Sequence, residues 1–140
     1  MKFLVAVDGS EPSLHAVAYL VRLAKCREVV EILVLNVREP ADAWEIRRFL
    51  NPDEIAEMQQ REGEVDLSEA RALLDAAGIA YDAKVLVGPV AQTIADYAAE
   101  QGCDSIVMGT HGRGGLADLF LGSVASKVIH LTRLPVTLIK

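Results

Sequence analysis

The stretch Ile32-Leu33-Val34-Leu35 decides the fold class, because it is apolar at every position. A strand with one face in water alternates apolar and polar residues, whereas a strand covered by helices on both faces is apolar throughout. We therefore expect residues 29–37 to form a central strand of a parallel sheet. The N-terminal run at 3–7 is also apolar and ends at Asp8-Gly9-Ser10, which indicates a second buried strand followed by a turn.

Helical and extended patterns alternate along the rest of the chain. Apolar residues recur at helical spacing from Leu14 to Ala24, with Ser10 or Ser13 as the N-cap and Pro12 in the first turn. Further helices are predicted at 52–77, 89–100 and 123–131, and further strands at 79–87, 105–108 and 135–139.

This alternation predicts an α/β fold: a doubly wound, Rossmann-like, five-stranded parallel sheet with helices on both faces, in one domain over residues 1–140. Residues 38–51 are expected to form a long surface loop with at most one helical turn. Trp44 in that loop either covers a site or anchors the loop. The charged run at 53–69 is interpreted as a solvated helix face.

The amino-acid composition limits the kind of core, the classes of partner and the cellular compartment that we expect. Apolar residues make up 51% of the chain and aromatic residues 5%, so the core must consist mainly of Val, Leu, Ile and Ala. The formal net charge of −6 argues against a nucleic-acid partner. Cys26 and Cys103 lack a CxxC spacing, which favours reduced thiols in the cytoplasm. No segment approaches the roughly 18 apolar residues of a membrane span, and Asp8 ends the first apolar run too early for a signal peptide.

A glycine-rich segment carries the functional signal. Gly109-Thr110-His111-Gly112-Arg113-Gly114-Gly115 follows the fourth predicted strand, and Gly122-Ser123 precedes the last helix. Glycines let backbone N–H groups approach phosphate oxygens, and a helix amino end offers free N–H donors and a favourable dipole. The Ser123 hydroxyl and the Arg113 guanidinium would add donors. A P-loop is excluded, because the chain has no GxxxxGK[ST] sequence.

The spacing Gly109-x2-Gly112-x9-Gly122-Ser123 resembles the nucleotide-binding pattern of the ATP-binding universal stress proteins. The opening Val5-Ala6-Val7-Asp8-Gly9-Ser10 and the closing Leu134-Pro135-Val136-Thr137-Leu138-Ile139 are also similar to that family. The resemblance implies the fold of the adenine nucleotide alpha hydrolases and a regulatory, ATP-binding stress-response role. Mg²⁺ would arrive with the nucleotide, and AMP or cyclic AMP would use similar adenosine contacts.

The resemblance also implies a role for each matching residue. Asp8 would face the adenosine; from the sequence alone it could instead cap the first helix or its turn, but together with the later glycines the nucleotide-facing role is favoured. Val37 would contact the adenine edge through its backbone, and Met108 and Gly109 would line the ribose. Ala125 stands where similar proteins often carry a hydroxyl residue, which removes one expected phosphate contact. The implied binding set is Ala6, Val7, Asp8, Val37, Met108, Gly109, Gly112, Arg113, Gly122, Ser123, Val124 and Ala125.

The sequence assigns no catalytic residue and no metal ligand, so any ATP hydrolysis should be slow. His111 has no carboxylate beside it in the sequence to orient it as a base. Two alternatives remain: a slow ATPase or nucleotide-processing enzyme, and a dimeric interaction module that binds no nucleotide. In each case the apolar strand at 136–139 would lie at a sheet edge, which predicts a homodimer through that strand. A regulatory protein partner is expected, but its nature is unknown.

Overall fold

The strands of the chain form one parallel sheet, as a computed structural model shows. The structure describes residues 1–26, 30–41, 44–113 and 120–140. The strands are β1 (Lys2–Ala6), β2 (Glu31–Arg38), β3 (Asp82–Val87), β4 (Ser105–Gly109) and β5 (Val136–Ile139). The helices are α1 (Glu11–Cys26), α2 (Trp44–Phe49), α3 (Pro52–Ala76), α4 (Val90–Glu100) and α5 (Ser123–Leu131).

The strand order is β3-β2-β1-β4-β5, which confirms the predicted doubly wound α/β fold. The chain runs from β1 outward to β3 and then crosses over to begin β4 on the other side of β1. In register, Val5 of β1 lies between Val34 of β2 and Val107 of β4. The order therefore reverses between β1 and β4, and ligands of such sheets bind beyond the carboxyl ends of the strands at that point.

Two apolar layers hold helices against the two faces of the sheet. On one face, the buried side chains of α1 and α3, including Leu20 and Leu74, pack on strand residues such as Val5. On the other face, α4 and α5 pack on Leu35 and Ile106. The central strands are apolar on both faces for this reason, as the unbroken pattern of 32–35 predicts.

Three local predictions need correction. Strand β2 continues through Arg38, and the region read as a loop contains the six-residue helix α2. The run at 53–69 is not a uniformly solvated face, because Gln59 and Asp66 of α3 are each only 7% exposed. Both lie at helical spacing from Ala70 and Leu74 on the face of α3 that packs on the sheet. Residue 29, predicted to begin the second strand, lies outside the described residues.

The two cysteines are in different environments. Cys26 is exposed and Cys103 is buried, and neither forms a disulfide. Burial raises the pKa of the Cys103 thiol, because a thiolate would lose its hydration there. Among the described helices, none combines the length and the apolar character that a membrane crossing requires.

Candidate functional site

A cavity of about 580 Å³ opens at the carboxyl ends of β1 and β4. Its size falls within the roughly 300–1,000 Å³ of small-molecule sites. Every residue of the predicted binding set lines it: Ala6, Val7, Asp8, Val37, Met108, Gly109, Gly112, Arg113, Gly122, Ser123, Val124 and Ala125. The fold therefore brings together residues from four separate segments of the chain. Gly114 and Gly115 of the glycine-rich segment lie outside the described residues.

The turn after β1 is closed by Asp8. Its Oδ1 atom accepts a hydrogen bond of 2.9 Å from the Ser10 N–H, and Gly9 within the turn has a φ of 80°. The Asp8 carboxylate also reaches residues 110–113, which we call the glycine loop. A Cβ atom on Gly112 would lie 2.5 Å from Asp8 Oδ2. Asp8 is thus a turn cap that also faces the cavity, so the two interpretations of this residue are compatible.

Ser10 continues from that turn into α1. Its hydroxyl accepts a bond of 3.4 Å from the Ser13 N–H, while the Ser13 hydroxyl donates to the Ser10 carbonyl at 2.8 Å. The amino end of α1 is therefore already occupied by its own side chains. Ser10 and Ser13 line the cavity but were predicted only as helix caps.

The backbone N–H and carbonyl of Val37 point to the side of β2 on which β1 lies. The Val7 N–H donates to the Leu35 carbonyl at 2.8 Å, and groups two residues apart on a strand point to the same side. Strand β1 ends at Ala6, so the N–H and carbonyl of Val37 point past its end. The Val7 carbonyl accepts a bond of 2.8 Å from Asn36 Nδ2, which fixes this edge of the cavity.

Gly109 and Gly122 have packing reasons to be glycine. A Cβ atom on Gly109 would lie 2.7 Å from Pro12 Cβ, so this glycine lets the amino end of α1 approach β4. A Cβ atom on Gly122 would lie 3.0 Å from His111 Cα, and the Gly122 N–H donates to the Thr110 carbonyl at 2.7 Å. The glycine spacing identified positions that line the cavity, but the expected reason was room for phosphate oxygens.

The amino end of α5 forms another wall. Gly122 is the N-cap residue, and no side chain caps the helix. Ser123 is exposed, Val124 is half-buried, and Ala125 is buried in the core. Helix N–H groups without a side-chain cap are available to an anion, and the dipole favours negative charge there. Burial in the core accounts for an apolar residue at position 125.

Part of the cavity lining is apolar, on the same face of the sheet as α5. This apolar wall is formed by Leu35 and Val37 of β2, Met108 of β4, and Val90 and Ile94 of α4. The sequence interpretation missed Leu35, Val90 and Ile94 as site residues, because their patterns are those of ordinary core positions. Trp44 does not belong to the described lining: its ring is 64% exposed, and the Arg48 guanidinium lies 5.0 Å from the ring centroid.

The remaining wall is charged. Asp66 of α3 accepts a hydrogen bond of 2.8 Å from Arg38 Nη1 and lies 3.2 Å from Arg113 Nη2. Arg38 also bonds Glu62 at 2.8 Å. The sequence interpretation missed Asp66 because it lies within a charged run. The available signal was its spacing, four residues before the buried Ala70.

His111 lines the cavity, and its Nδ1 atom lies 3.1 Å from the Thr110 hydroxyl. Within the described ranges, no group of three His, Cys, Asp or Glu side chains is arranged to hold a metal ion. The cavity thus offers helix N–H groups, hydroxyls, two guanidinium groups and an apolar wall. This combination suits a ligand with an anionic part and a flat apolar part.

Comparisons with known proteins bear on the family and the fold. The family model described as "Universal stress protein family" matches residues 1–140. The universal stress protein MJ0531 of Methanocaldococcus jannaschii is 33% identical, with 99% of this chain and 81% of that protein covered. The structure of MJ0577 from the same organism has a TM-score of 0.83 at 26% identity, covering 99% of this chain and 94% of that one.

A universal stress protein from Archaeoglobus fulgidus, solved in complex with dAMP, has a TM-score of 0.67 at 25% identity. The alignment covers 100% of this chain and 98% of that one. The match to the family model extends over the full sequence, and the α/β fold with a five-stranded parallel sheet is the one that the resemblance implied. The chain belongs to the universal stress protein family.

Proposed function

We propose that this protein binds an adenine nucleotide, with ATP as the first candidate, in the cavity at the ends of β1 and β4. The observation that carries the proposal is the convergence of the glycine loop, the uncapped amino end of α5 and an apolar wall on one cavity. An anion site and a flat apolar surface in one cavity match the two halves of a nucleotide.

The adenosine would lie against the apolar wall. The backbone of Val37, which points past the end of β1, offers a donor and an acceptor to an adenine edge. Asp8 would face the ribose side, together with Met108 and Gly109. The phosphates would lie at the amino end of α5, near Gly112, Gly122 and Ser123.

The relative solved with dAMP supports an adenine nucleotide as the ligand class. AMP and cyclic AMP carry the same base and a phosphate, so the proposed contacts would accept them as well. Polyphosphate ligands bring Mg²⁺, which would be held mainly by phosphate oxygens and water.

The proposed role is regulatory binding in the cytoplasm, by a single domain over residues 1–140. Two unpaired cysteines support a reducing compartment, and the family match over the full length supports one domain. Hydrolysis of ATP would be slow, because among the described residues the hydrogen-bond partner of His111 is the Thr110 hydroxyl and no carboxylate orients the imidazole as a base. Phosphate release at several turnovers per minute from clean protein would overturn this part of the proposal.

A negative charge placed at the amino end of α5 tests whether this helix end binds the phosphates. Ser123→Asp should weaken ATP binding by about tenfold or more, since a carboxylate would repel the phosphates. The helix dipole stabilises a carboxylate at the amino end of α5, so the melting temperature of the protein without ligand should not fall. Titration calorimetry with ATP–Mg²⁺ measures the first effect, and thermal unfolding without ligand measures the second.

Gln92→Asp is the matched control. It adds the same charge to the first turn of α4, at an exposed position that is not part of the cavity lining. ATP affinity should change by less than about twofold in this variant, because exposed charges are screened by solvent. Equal losses in both variants would show that overall charge matters and that α5 does not hold the phosphates. No binding by the wild-type protein would favour the interaction module without a nucleotide.

A further inference from the structure

The Arg113 guanidinium faces α3, not the amino end of α5. Its Nη2 atom lies 3.2 Å from Asp66 Oδ1, and a Cβ atom built on Gly9 would collide with the same Nη2 atom. Arg113 therefore lies across the turn that follows β1, and its ion pair with Asp66 links the glycine loop to α3. The sequence predicts a phosphate contact for this residue, but its observed partner is a carboxylate.

Asp66 is held in place independently of Arg113. Its Oδ2 atom accepts bonds from Arg38 Nη1 at 2.8 Å and from Asn36 Nδ2 at 3.4 Å. A buried carboxylate requires such partners, and Asp66 keeps both of them if Arg113 leaves. The Arg113 side chain is 64% exposed, whereas that of Asp66 is 7% exposed. The bond between them is thus the exchangeable one in this cluster.

The two possible partners of Arg113 approach the cavity from opposite sides. A guanidinium can bridge two anions that lie side by side, as Arg38 does with Asp66 and Glu62, but α3 and α5 lie on opposite faces of the sheet. To pair with a phosphate at the amino end of α5, Arg113 has to leave Asp66.

We propose that Arg113 exchanges Asp66 for a phosphate of the bound ligand. Asp66 is then a positioning residue that opposes phosphate binding, and phosphate binding releases the glycine loop from α3. Adenosine, which has no phosphate, would leave the ion pair between Arg113 and Asp66 in place. This inference rests on the proposed function, because it places the phosphates at the amino end of α5.

The experiment measures three probes by calorimetry: ATP–Mg²⁺, adenosine and inorganic tripolyphosphate. Asp66→Asn removes the competing charge but keeps an oxygen that can accept from Arg38. ATP and tripolyphosphate should bind about fivefold to tenfold more tightly to this variant, whereas adenosine affinity should change by less than about twofold. Glu62→Gln is the matched control, since Glu62 also pairs with Arg38, whereas the ion pair of Arg113 is with Asp66. It should change ATP affinity by less than about twofold.

A second arm removes Arg113. In an Arg113→Gln background, Asp66→Asn should change ATP affinity by less than about twofold, because the exchange no longer exists. An equal gain with and without Arg113 would overturn the proposal, since Asp66 would then act on the ligand directly. A loss of affinity in Asp66→Asn would also overturn it.

A third arm needs no Asp66 variant. The side-chain Nε–H signal of Arg113, assigned by its loss in Arg113→Gln, should shift when wild-type protein is titrated with ATP or tripolyphosphate. Adenosine should leave it unchanged, and a shift with adenosine would contradict the exchange. If tripolyphosphate moves the signal but ATP does not bind, the exchange stands and the nucleotide proposal fails. If neither phosphate probe binds, both fail.

Discussion

At the scale of single residues, Gly109 and Gly112 belong to the same loop but are glycine for different reasons. A side chain at Gly109 would press on the backbone and ring of Pro12, which lie in the first turn of α1. Among the described residues, a side chain at Gly112 would meet only the carboxylate of Asp8, which is the end of a side chain and can rotate away. The first contact resists a methyl group and the second can yield to it.

Gly109→Ala should therefore lower the free energy of unfolding by about 1–3 kcal/mol, whereas Gly112→Ala should cost less than about 1 kcal/mol. Urea unfolding followed by circular dichroism measures both. Equal costs for the two variants would show that α1 can move away from β4 without loss. Such a result would remove the packing explanation of Gly109.

The same contrast shows what the sequence can and cannot reveal about the site. The spacing of Gly109, Gly112 and Gly122 identifies positions that line one cavity. It does not distinguish a glycine that makes room for a ligand from one that makes room for a helix, since both need a missing Cβ. Asp66 was missed for a related reason: a carboxylate in a charged run does not reveal which charges a helix turns inward.

At the scale of elements, α3 depends on its first turn. Asn51 is the N-cap, and its Oδ1 atom accepts a bond of 2.9 Å from the Glu54 N–H. The Asn51 Nδ2 atom donates to the Glu54 carboxylate at 3.0 Å, and Pro52 occupies the first helical position. This cap fixes where α3 begins after α2, and it thereby sets the register of the face that carries Asp66.

Asn51→Ala should lower the free energy of unfolding by about 1 kcal/mol, because the Glu54 N–H loses its acceptor. Asn51→Ser is the matched variant, since its hydroxyl keeps an acceptor for the Glu54 N–H without placing a second carboxylate beside the Glu54 side chain. Its cost should be below about 0.5 kcal/mol. Guanidinium unfolding curves measure the difference. If the serine variant loses as much stability as the alanine variant, the cap is not what stabilises this end of α3.

Most elements could be predicted from the sequence because the sheet is buried on both faces. An unbroken apolar run such as 32–35 has few alternative structures in a chain of this length. Helix α2 was predicted as at most one helical turn within a loop: it is six residues long, and Trp44 and Phe49 are both largely exposed. Short exposed helices leave no periodic pattern, because no face of them is buried.

At the scale of the whole molecule, the two edges of the sheet differ. Strand β3, at one edge, exposes Asp82 and Lys84. Charged residues on an edge strand discourage pairing with another chain. Strand β5, at the other edge, is Val136-Thr137-Leu138-Ile139, and all four residues are half-buried without a charge among them. This asymmetry supports the proposal that two copies of the chain pair through β5.

A proline at Leu138 tests this proposal. The Thr110 N–H donates to the Ile139 carbonyl and the Ile106 N–H to the Pro135 carbonyl, so the alternate residues Val136 and Leu138 direct their N–H groups away from β4. Proline is tolerated on an edge strand where its missing N–H would face outward. Leu138→Pro should therefore convert the expected dimer into a folded monomer, as measured by light scattering and circular dichroism.

Val87→Pro provides the matched control at the opposite edge. The Gly88 N–H donates to the Arg38 carbonyl, so the N–H of Val87 faces outward from β3, and its side chain is half exposed. This variant should remain a dimer, because β3 is not the proposed contact. A wild-type monomer at micromolar concentration, or dissociation by Val87→Pro but not by Leu138→Pro, would show that β5 is not the interface. If the protein with the single substitution Leu138→Pro is still a dimer, the contact lies on a helical face. An edge strand whose row of N–H donors is interrupted cannot continue its sheet into a second chain.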